Sequence, residues 1–322
     1  MGYYQSIGTN KGSRDCEERW EVIKPYIPEH GVVLDIGCAE GFFCKRIAEE
    51  TKCLVVGLEK SKNCLKRLNN WYTDYYKGKV VICNTTIDDI KAQRMAKACD
   101  WVNMSMLLSV LHWIPNPGEV LKHVSSFSEQ VLVELPDLED TRACGQAYMN
   151  ELREIGDIKT YLESCTGRDV TFIKAVKAHT SATRNIWLIG GDVERTCRVP
   201  HVDMKLPTAK DCHKYPIYKH TYEKGVHTFN LKGHHRLFWK SGINLATLNY
   251  LNVIKPTKEW FLDCARAELE IHKRSKPFKG DARYRNIVVE RDGVYWIDLT
   301  DKGGKNRYEA EILAIGQPKE RK

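Results

Sequence analysis

The chain has 322 residues, 42% hydrophobic and 29% charged, proportions that exclude a disordered or membrane-embedded protein and leave material for two domain cores of ordinary size. No window approaches the ~20 apolar residues of a bilayer span, and the opening MGYYQSIGTNKGSRD lacks a secretory signal's apolar run, so a cytoplasmic location is expected. The formal charge of +8 is uneven: residues 1–192 hold 24 basic and 26 acidic side chains and residues 193–322 hold 26 and 16, which points the C-terminal part toward an anionic partner.

Residues 15–29 (DCEERWEVIKPYIPE) show helical spacing at Trp20, Ile23 and Ile27, with acids early and Pro25 and Pro28 marking the end. Five β-rich runs follow: VVLDIG, CLVVGLE (53–59), KVVICN (79–84), DWVNMSML (100–107) and QVLVELP (130–136). Helical segments such as FFCKRIAEE, SKNCLKRLNNWY and GEVLKHVSSF separate them, an alternation that predicts a parallel sheet with helices on both faces. VTFIKAVKAH (170–179) and RNIWLIGG (184–191) stand too close for a crossover helix and should pair antiparallel. After Gly190-Gly191 the segments become short, rich in His and Lys and punctuated by Pro, so the domains are placed at 1–192 and 193–322. Twelve scattered cysteines, none in a CxxC, read as reduced, mostly buried thiols rather than a disulfide framework or zinc site.

The informative stretch is VVLDIGCAEGFF, residues 32–43. Asp35 ends the first strand, Gly37 and Gly41 clear the following turn of side chains, and the helix starting near Phe42 offers free N–H groups. DxGxxxG differs from the dinucleotide GxGxxG, and a carboxylate at this place favours a cationic ligand. Glu59 closes the second strand, where an acid accepts from both ribose hydroxyls. A nucleoside bearing a cationic amine or sulfonium satisfies both acids.

These residues resemble the first motif (LDIGCAEGFF) and the second-strand acid (LE, 58–59) of class I S-adenosylmethionine-dependent methyltransferases, and CDWVNMSMLLSVLHWI (99–114) is similar to their fourth-strand segment. The resemblance covers roughly residues 15–192 and implies a Rossmann-like seven-stranded α/β sheet with an antiparallel final hairpin. It implies that Gly37, Cys38 and Gly41 flank the methionine moiety, Glu59 holds the ribose, Thr86 and Ile87 lie against adenine, and Ser105 lines the pocket floor. Asp88 and Asp89 are the nearest acids for the adenine amine. The N-terminal YYQSIGTNKGSR is a candidate cover, with Gln5 and Arg14 reaching cofactor or acceptor.

The run NMSMLLSVLHW lacks the (D/N)PP(Y/F) tetrad of base-amine enzymes, no Pro-Cys nucleophile is present, and no Asp follows the fourth strand as ribose 2′-O-methylation needs. SVLHWI is the form of small-molecule and glycan enzymes, with His112 as a general base titrating near neutrality and Glu134, ending the fifth strand, as a second candidate base.

In the second region, KGDARYRNIVVERDGVYWIDLTD (279–301) sets Asp281, then Asn286, then a hairpin signal at ERDG, then Asp298. That order suits a base for an attacking hydroxyl and two Mg²⁺ ligands, Asn286 and Asp298, and it resembles the catalytic segment of protein-kinase-like and aminoglycoside-phosphotransferase-like enzymes. A Gly-rich loop is missing, Lys279 replaces the usual His, and Lys232 and Lys240 are the substitutes for the family's strand-borne lysine. The whole order is similar to bifunctional methyltransferase/kinases of O-antigen synthesis. The sequence therefore predicts S-adenosylmethionine-dependent methyl transfer to a hydroxyl or phosphate of a glycan or small molecule, coupled to phosphotransfer by a smaller α+β, reduced kinase-like lobe using ATP and Mg²⁺. Two alternatives stay open: a nucleic-acid (RNA or DNA) methyltransferase with the basic region as binding arm, and a non-catalytic S-adenosylmethionine sensor.

Overall fold

A computed structural model describes residues 3–7, 12–98, 102–136, 138, 145–177, 183–190, 217–223, 226–231, 236–240, 242–275, 287–291, 293–296 and 314–315. Two short strands, β1 (Tyr3–Gln5) and β2 (Gly12–Arg14), pair in parallel at the start. Next come α1 (Cys16–Ile23), β3 (His30–Ile36), α2 (Phe42–Glu50), β4 (Lys52–Glu59), α3 (Lys62–Leu68), β5 (Val80–Asn84), α4 (Asp89–Ala98) and β6 (Val102–Leu108). They lead to α5 (Pro117–Phe127), β7 (Ser128–Leu135), α6 (Gln146–Ile155), α7 (Ile158–Thr166), β8 (Val170–Lys177) and β9 (Thr183–Ile189). Beyond residue 192 lie β10 (Ile217–Glu223), β11 (Val226–Leu231), β12 (Arg236–Lys240), β13 (Ile243–Asn244), α8 (Leu245–Tyr250), β14 (Val253–Lys255), α9 (Lys258–Ser275), β15 (Ile287–Glu290), β16 (Gly293–Trp296) and β17 (Ala314–Ile315).

The main sheet runs β14-β5-β4-β3-β6-β7-β9-β8. Strands β3 to β7 are parallel, as the βα alternation requires, and β9 and β8 close the sheet antiparallel. Helices cover both faces, which explains why the strands read as continuous apolar runs. Val32, Leu34 and Ile36 pack into one core cluster, while their neighbour Val33 joins the other with Met104 and Met106. Strand order reverses at β3, flanked by β4 on one side and β6 on the other, so the carboxyl end of β3 is the topological switch point where such sheets take ligands.

The sheet has eight strands, one more than the seven expected. The extra edge is β14, antiparallel to β5 with Val253 opposite Cys83 and Lys255 opposite Ile82. Three residues of NVIKPT are too short a run to be read as a strand from sequence. Leu245, Leu248, Leu251 and Phe261 from the same segment are buried in the cluster that contains Leu58 and Cys83. Each such side chain contributes roughly 1.5–3 kcal/mol by burial, so residues beyond 192 help to hold the edge of the sheet.

The remaining strands form two smaller antiparallel sheets, β10-β11-β12 and β13-β15-β16-β17. The hairpin signal at ERDG is the β15–β16 turn, with Glu290 opposite Gly293. Asp281, Asn286, Asp298, Lys232 and Lys279 lie outside the described residues, as does the side chain of Lys240. Among the described residues, no helix is long and apolar enough to cross a membrane and no His/Cys/Asp/Glu group is arranged to hold a metal ion.

Candidate active site at the carboxyl ends of the central strands

β3 carries Asp35 to the switch point, in register with Gly57 of β4 and Met106 of β6. The chain then turns sharply: the N–H groups of Gly37 and Cys38 both donate to the Leu58 carbonyl, at 2.8 and 3.1 Å, and Gly41 N–H returns to the Cys38 carbonyl at 2.8 Å. Gly37 and Gly41 hold φ values of 76° and 84°, left-handed conformations that glycine adopts without a Cβ penalty. Packing reinforces the requirement, because a Cβ on Gly41 would stand 2.6 Å from Cζ2 of Trp71.

Both acids named from sequence meet at this turn. Glu59 accepts from the N–H groups of Ala39 (2.9 Å) and Ser61 (2.6 Å), which fixes its carboxylate while leaving a lone pair on each oxygen for further donors. Asp35 is only 2% exposed and accepts from the Cys44 thiol at 3.2 Å. Burial pushes its pKa up to about 7, the Cys44 hydrogen bond opposing and the charge of Glu59 adding to the rise. Among the described residues no Lys or Arg is paired with it, so this carboxylate suits a ligand that brings its own positive charge. The donor set fits S-adenosylmethionine: Asp35 would face its cationic methionine end, the Gly37–Gly41 turn would leave room for it, and Glu59 would accept from the ribose hydroxyls.

The N-terminal pair of strands packs onto this turn. Glu40, fully buried, accepts from the N–H groups of Tyr4 (3.0 Å) and Gln5 (3.2 Å) and from Arg67 (3.0 Å). Gln5 in turn accepts from Phe42 N–H at 3.0 Å, capping the first turn of α2. Gln5 is therefore held beside the cofactor turn. Sequence reasoning missed Glu40; its signal was a carboxylate inside an otherwise apolar and small-residue motif.

A second cluster lies at the carboxyl ends of β6 and β7. Glu134 is fully buried and binds Arg19 through both oxygens (3.1 and 3.2 Å), Ser109 at 2.8 Å and Arg14 at 3.4 Å. Burial alone would raise its pKa, but Arg14 and Arg19 outweigh that and hold it below the ordinary carboxylate value. Arg14 also donates to Ser109 at 3.0 Å and lies over the Tyr4 ring. His112 sits beside this cluster, 3.4 Å from Arg184. The expected near-neutral titration of His112 is not what these surroundings give: burial, then Arg184 and Arg14, push its pKa down to about 3, so the imidazole is neutral. Its Nδ1 and the Nε of Arg14, both buried, have no hydrogen-bond partner among the described residues. Arg19 and Arg184 were not found from sequence, since Arg19 meets Glu134 across 115 positions of chain.

The remaining candidates separate from the site to different degrees. Thr86 is half-buried after β5, while the side chain of Ile87 is committed to the core. Asp88 caps α4 through Lys91 N–H at 2.8 Å, and Asp89 accepts from Asn116 at 3.0 Å. Ser105 lies one position inside the sheet from the Asp35–Met106 level, fully buried and 2.7 Å from the Ser128 hydroxyl, rather than on an open pocket floor. Cys38 is a buried thiol of the turn.

The family model described as a methyltransferase domain matches residues 27–179. No curated protein matches the chain. Among solved structures, the bifunctional kinase-methyltransferase WbdD is 14% identical over 94% of this chain and 81% of that one, with a TM-score of 0.46. The N-terminal domain of EvdMO1, solved in the presence of S-adenosylhomocysteine and D-fucose, is 13% identical over 59% of this chain and 90% of its own, with a TM-score of 0.41. The methyltransferase domain of bacterial CtHen1 gives 15% identity over 55% of this chain and 96% of its own, with a TM-score of 0.40. The matched segment holds β3 to β8, the glycine turn and both acids, and the chain is an S-adenosylmethionine-dependent methyltransferase.

Proposed function

We propose that the enzyme transfers the methyl group to a hydroxyl or phosphate oxygen of an anionic acceptor, a phosphorylated glycan or related metabolite. The observation that carries this reading is the sharing of one carboxylate, Glu134, by two buried arginines, Arg14 and Arg19, at the end of the sheet where an acceptor approaches. Two guanidinium charges against one carboxylate leave a buried positive surplus that is costly by itself and that an acceptor anion offsets.

The mechanism is an in-line displacement. S-adenosylmethionine, when bound, would supply the sulfonium methyl group; displacement by an acceptor oxygen would leave the bond electrons on a neutral thioether sulfur, and a hydroxyl acceptor would release its proton to water. Protein residues position the two reactants, and good alignment is worth roughly 7–11 kcal/mol of barrier. A phosphate oxygen is already ionised at neutral pH and needs no general base, which agrees with a His112 too weakly basic to take a proton and a Glu134 held by three partners. His112 and Glu134 are then positioning residues for Arg184 and Arg14.

The proposal is tested by Arg14→Gln. The expected result is an acceptor KM raised at least tenfold with cofactor Kd unchanged; an unchanged KM would refute the anionic acceptor.

The β15–β16 hairpin supports a second reading, in which Asp281, Asn286 and Asp298 around it carry phosphotransfer with ATP and Mg²⁺ and supply the phosphate that is methylated. Mg²⁺-dependent nucleotide binding that is lost in Asp298→Ala is the expected outcome; its absence in the full chain removes the coupling and leaves the methyl transfer standing.

A further inference from the structure

A cavity of about 250 Å³ opens at the far end of the sheet from the cofactor turn. One wall is the connection entering β5, with Tyr72, Asp74 and Lys77, and the other is the exit from β14 into α9, with Lys255, Thr257 and Trp260. Because β14 runs antiparallel to β5, Lys255 and the residues after it lie toward the amino end of β5. Asp35 and Glu59 stand at carboxyl ends, so this cavity is separate from the methyl-transfer site.

We propose that this cavity binds a small phosphorylated ring, a sugar phosphate or a mononucleotide. Tyr72 and Trp260 bring aromatic side chains to the lining, the kind of surface that packs against the flat face of a ring. Asp74 and Thr257 supply an acceptor and a hydroxyl for ring hydroxyls. Lys77 and Lys255 supply two ammonium groups against one carboxylate, a surplus that suits a phosphate. Lys77 lies 2.8 Å from Asp74, and Lys255 is 5.2 Å from the centre of the Tyr72 ring, so both heads are already held at the cavity. The volume lies just under the usual range for small-molecule pockets and suits a sugar phosphate or, at most, a mononucleotide, not a dinucleotide. One wall comes from before residue 192 and the other from after it, so an occupant would tie β14 more firmly to β5.

The test is titration of the full chain with glucose 1-phosphate, AMP and inorganic phosphate, followed by calorimetry, with and without saturating S-adenosylhomocysteine. Saturable binding of at least one ring phosphate is expected, at least tenfold tighter than inorganic phosphate, unaffected by S-adenosylhomocysteine and weakened at least fivefold in Lys255→Gln or Lys77→Gln. Preference for glucose 1-phosphate or for AMP identifies the source of the ligand. Lack of saturable binding to all three, displacement by S-adenosylhomocysteine, equal affinity for phosphate alone, or indifference to both lysine variants would each overturn the proposal. The two lysine heads are outside the core, so both variants should fold, and neither bears on Asp35, Arg14 or the methyl-transfer reading.

Discussion

Asp35 makes the cofactor site a source of pH-dependent instability, and the size of the effect can be worked out. A carboxyl group that titrates near 3.8 when unfolded and at about 7 when buried binds more protons in the folded state over the intervening range. Stability attributable to Asp35 is therefore fully present at low pH and is lost as pH rises through 7. Integrating between pH 5 and pH 8 gives a loss of about 2.5 kcal/mol. Asn at position 35 keeps the shape and removes the titration. Urea unfolding of wild type and Asp35→Asn at the two pH values isolates the group, since every other titration cancels in the difference. Asp35→Asn should gain about 2.5 kcal/mol relative to wild type on going from pH 5 to pH 8, while its affinity for S-adenosylmethionine falls. A difference that stays flat with pH would show that burial does not raise the pKa of Asp35 and would refute this reasoning.

Other predictions follow from neighbouring contacts. Arg19→Ala strips Glu134 of its two-oxygen partner and should destabilise the fold by about 3–5 kcal/mol, read from the urea midpoint. Gly41→Ala forces both a left-handed φ and a clash with Trp71; a loss of about 1–3 kcal/mol and a weaker cofactor Kd are expected, whereas Ser61→Ala, losing only the α3 cap, should cost about 1 kcal/mol. The pH profile of methyl transfer should lack a limb near 6.5 that His112→Gln abolishes, because a group with pKa of about 3 stays neutral across the physiological range. A fragment ending at residue 192 lacks β14 and the buried Leu248 and Phe261, and should unfold at lower urea than the full chain; equal midpoints would support the boundary near 193 as an energetic one.

What could be read from sequence was local. The run VVLD followed by glycines at positions 37 and 41 announces a buried strand and a tight turn, and Glu59 lies at the end of the next strand, so the placing of the two acids at adjacent strand ends was legible from periodicity and spacing. The antiparallel β8–β9 closure followed from a connection too short for a helix. What escaped depends on contacts between distant segments. Arg19 and Glu134 are 115 positions apart, and neither residue type nor spacing marks them as partners. The pKa of His112 is set by burial and by Arg184 and Arg14, which only the fold brings near it. Ser105 carries no signal to distinguish a pocket hydroxyl from one bonded inside the sheet to Ser128. β14 is three residues long, below the length at which alternation can be seen.

The central claim is that this chain methylates an anionic acceptor. Its most direct test supplies the purified protein with methyl-labelled S-adenosylmethionine and fractionated host extract, with one half of each fraction pretreated with phosphatase. The account predicts label in a glycan or small-molecule fraction, lost after phosphatase treatment and absent with Asp35→Ala. Label in nucleic acid that survives phosphatase, or tight cofactor binding with no label in any fraction, would contradict it.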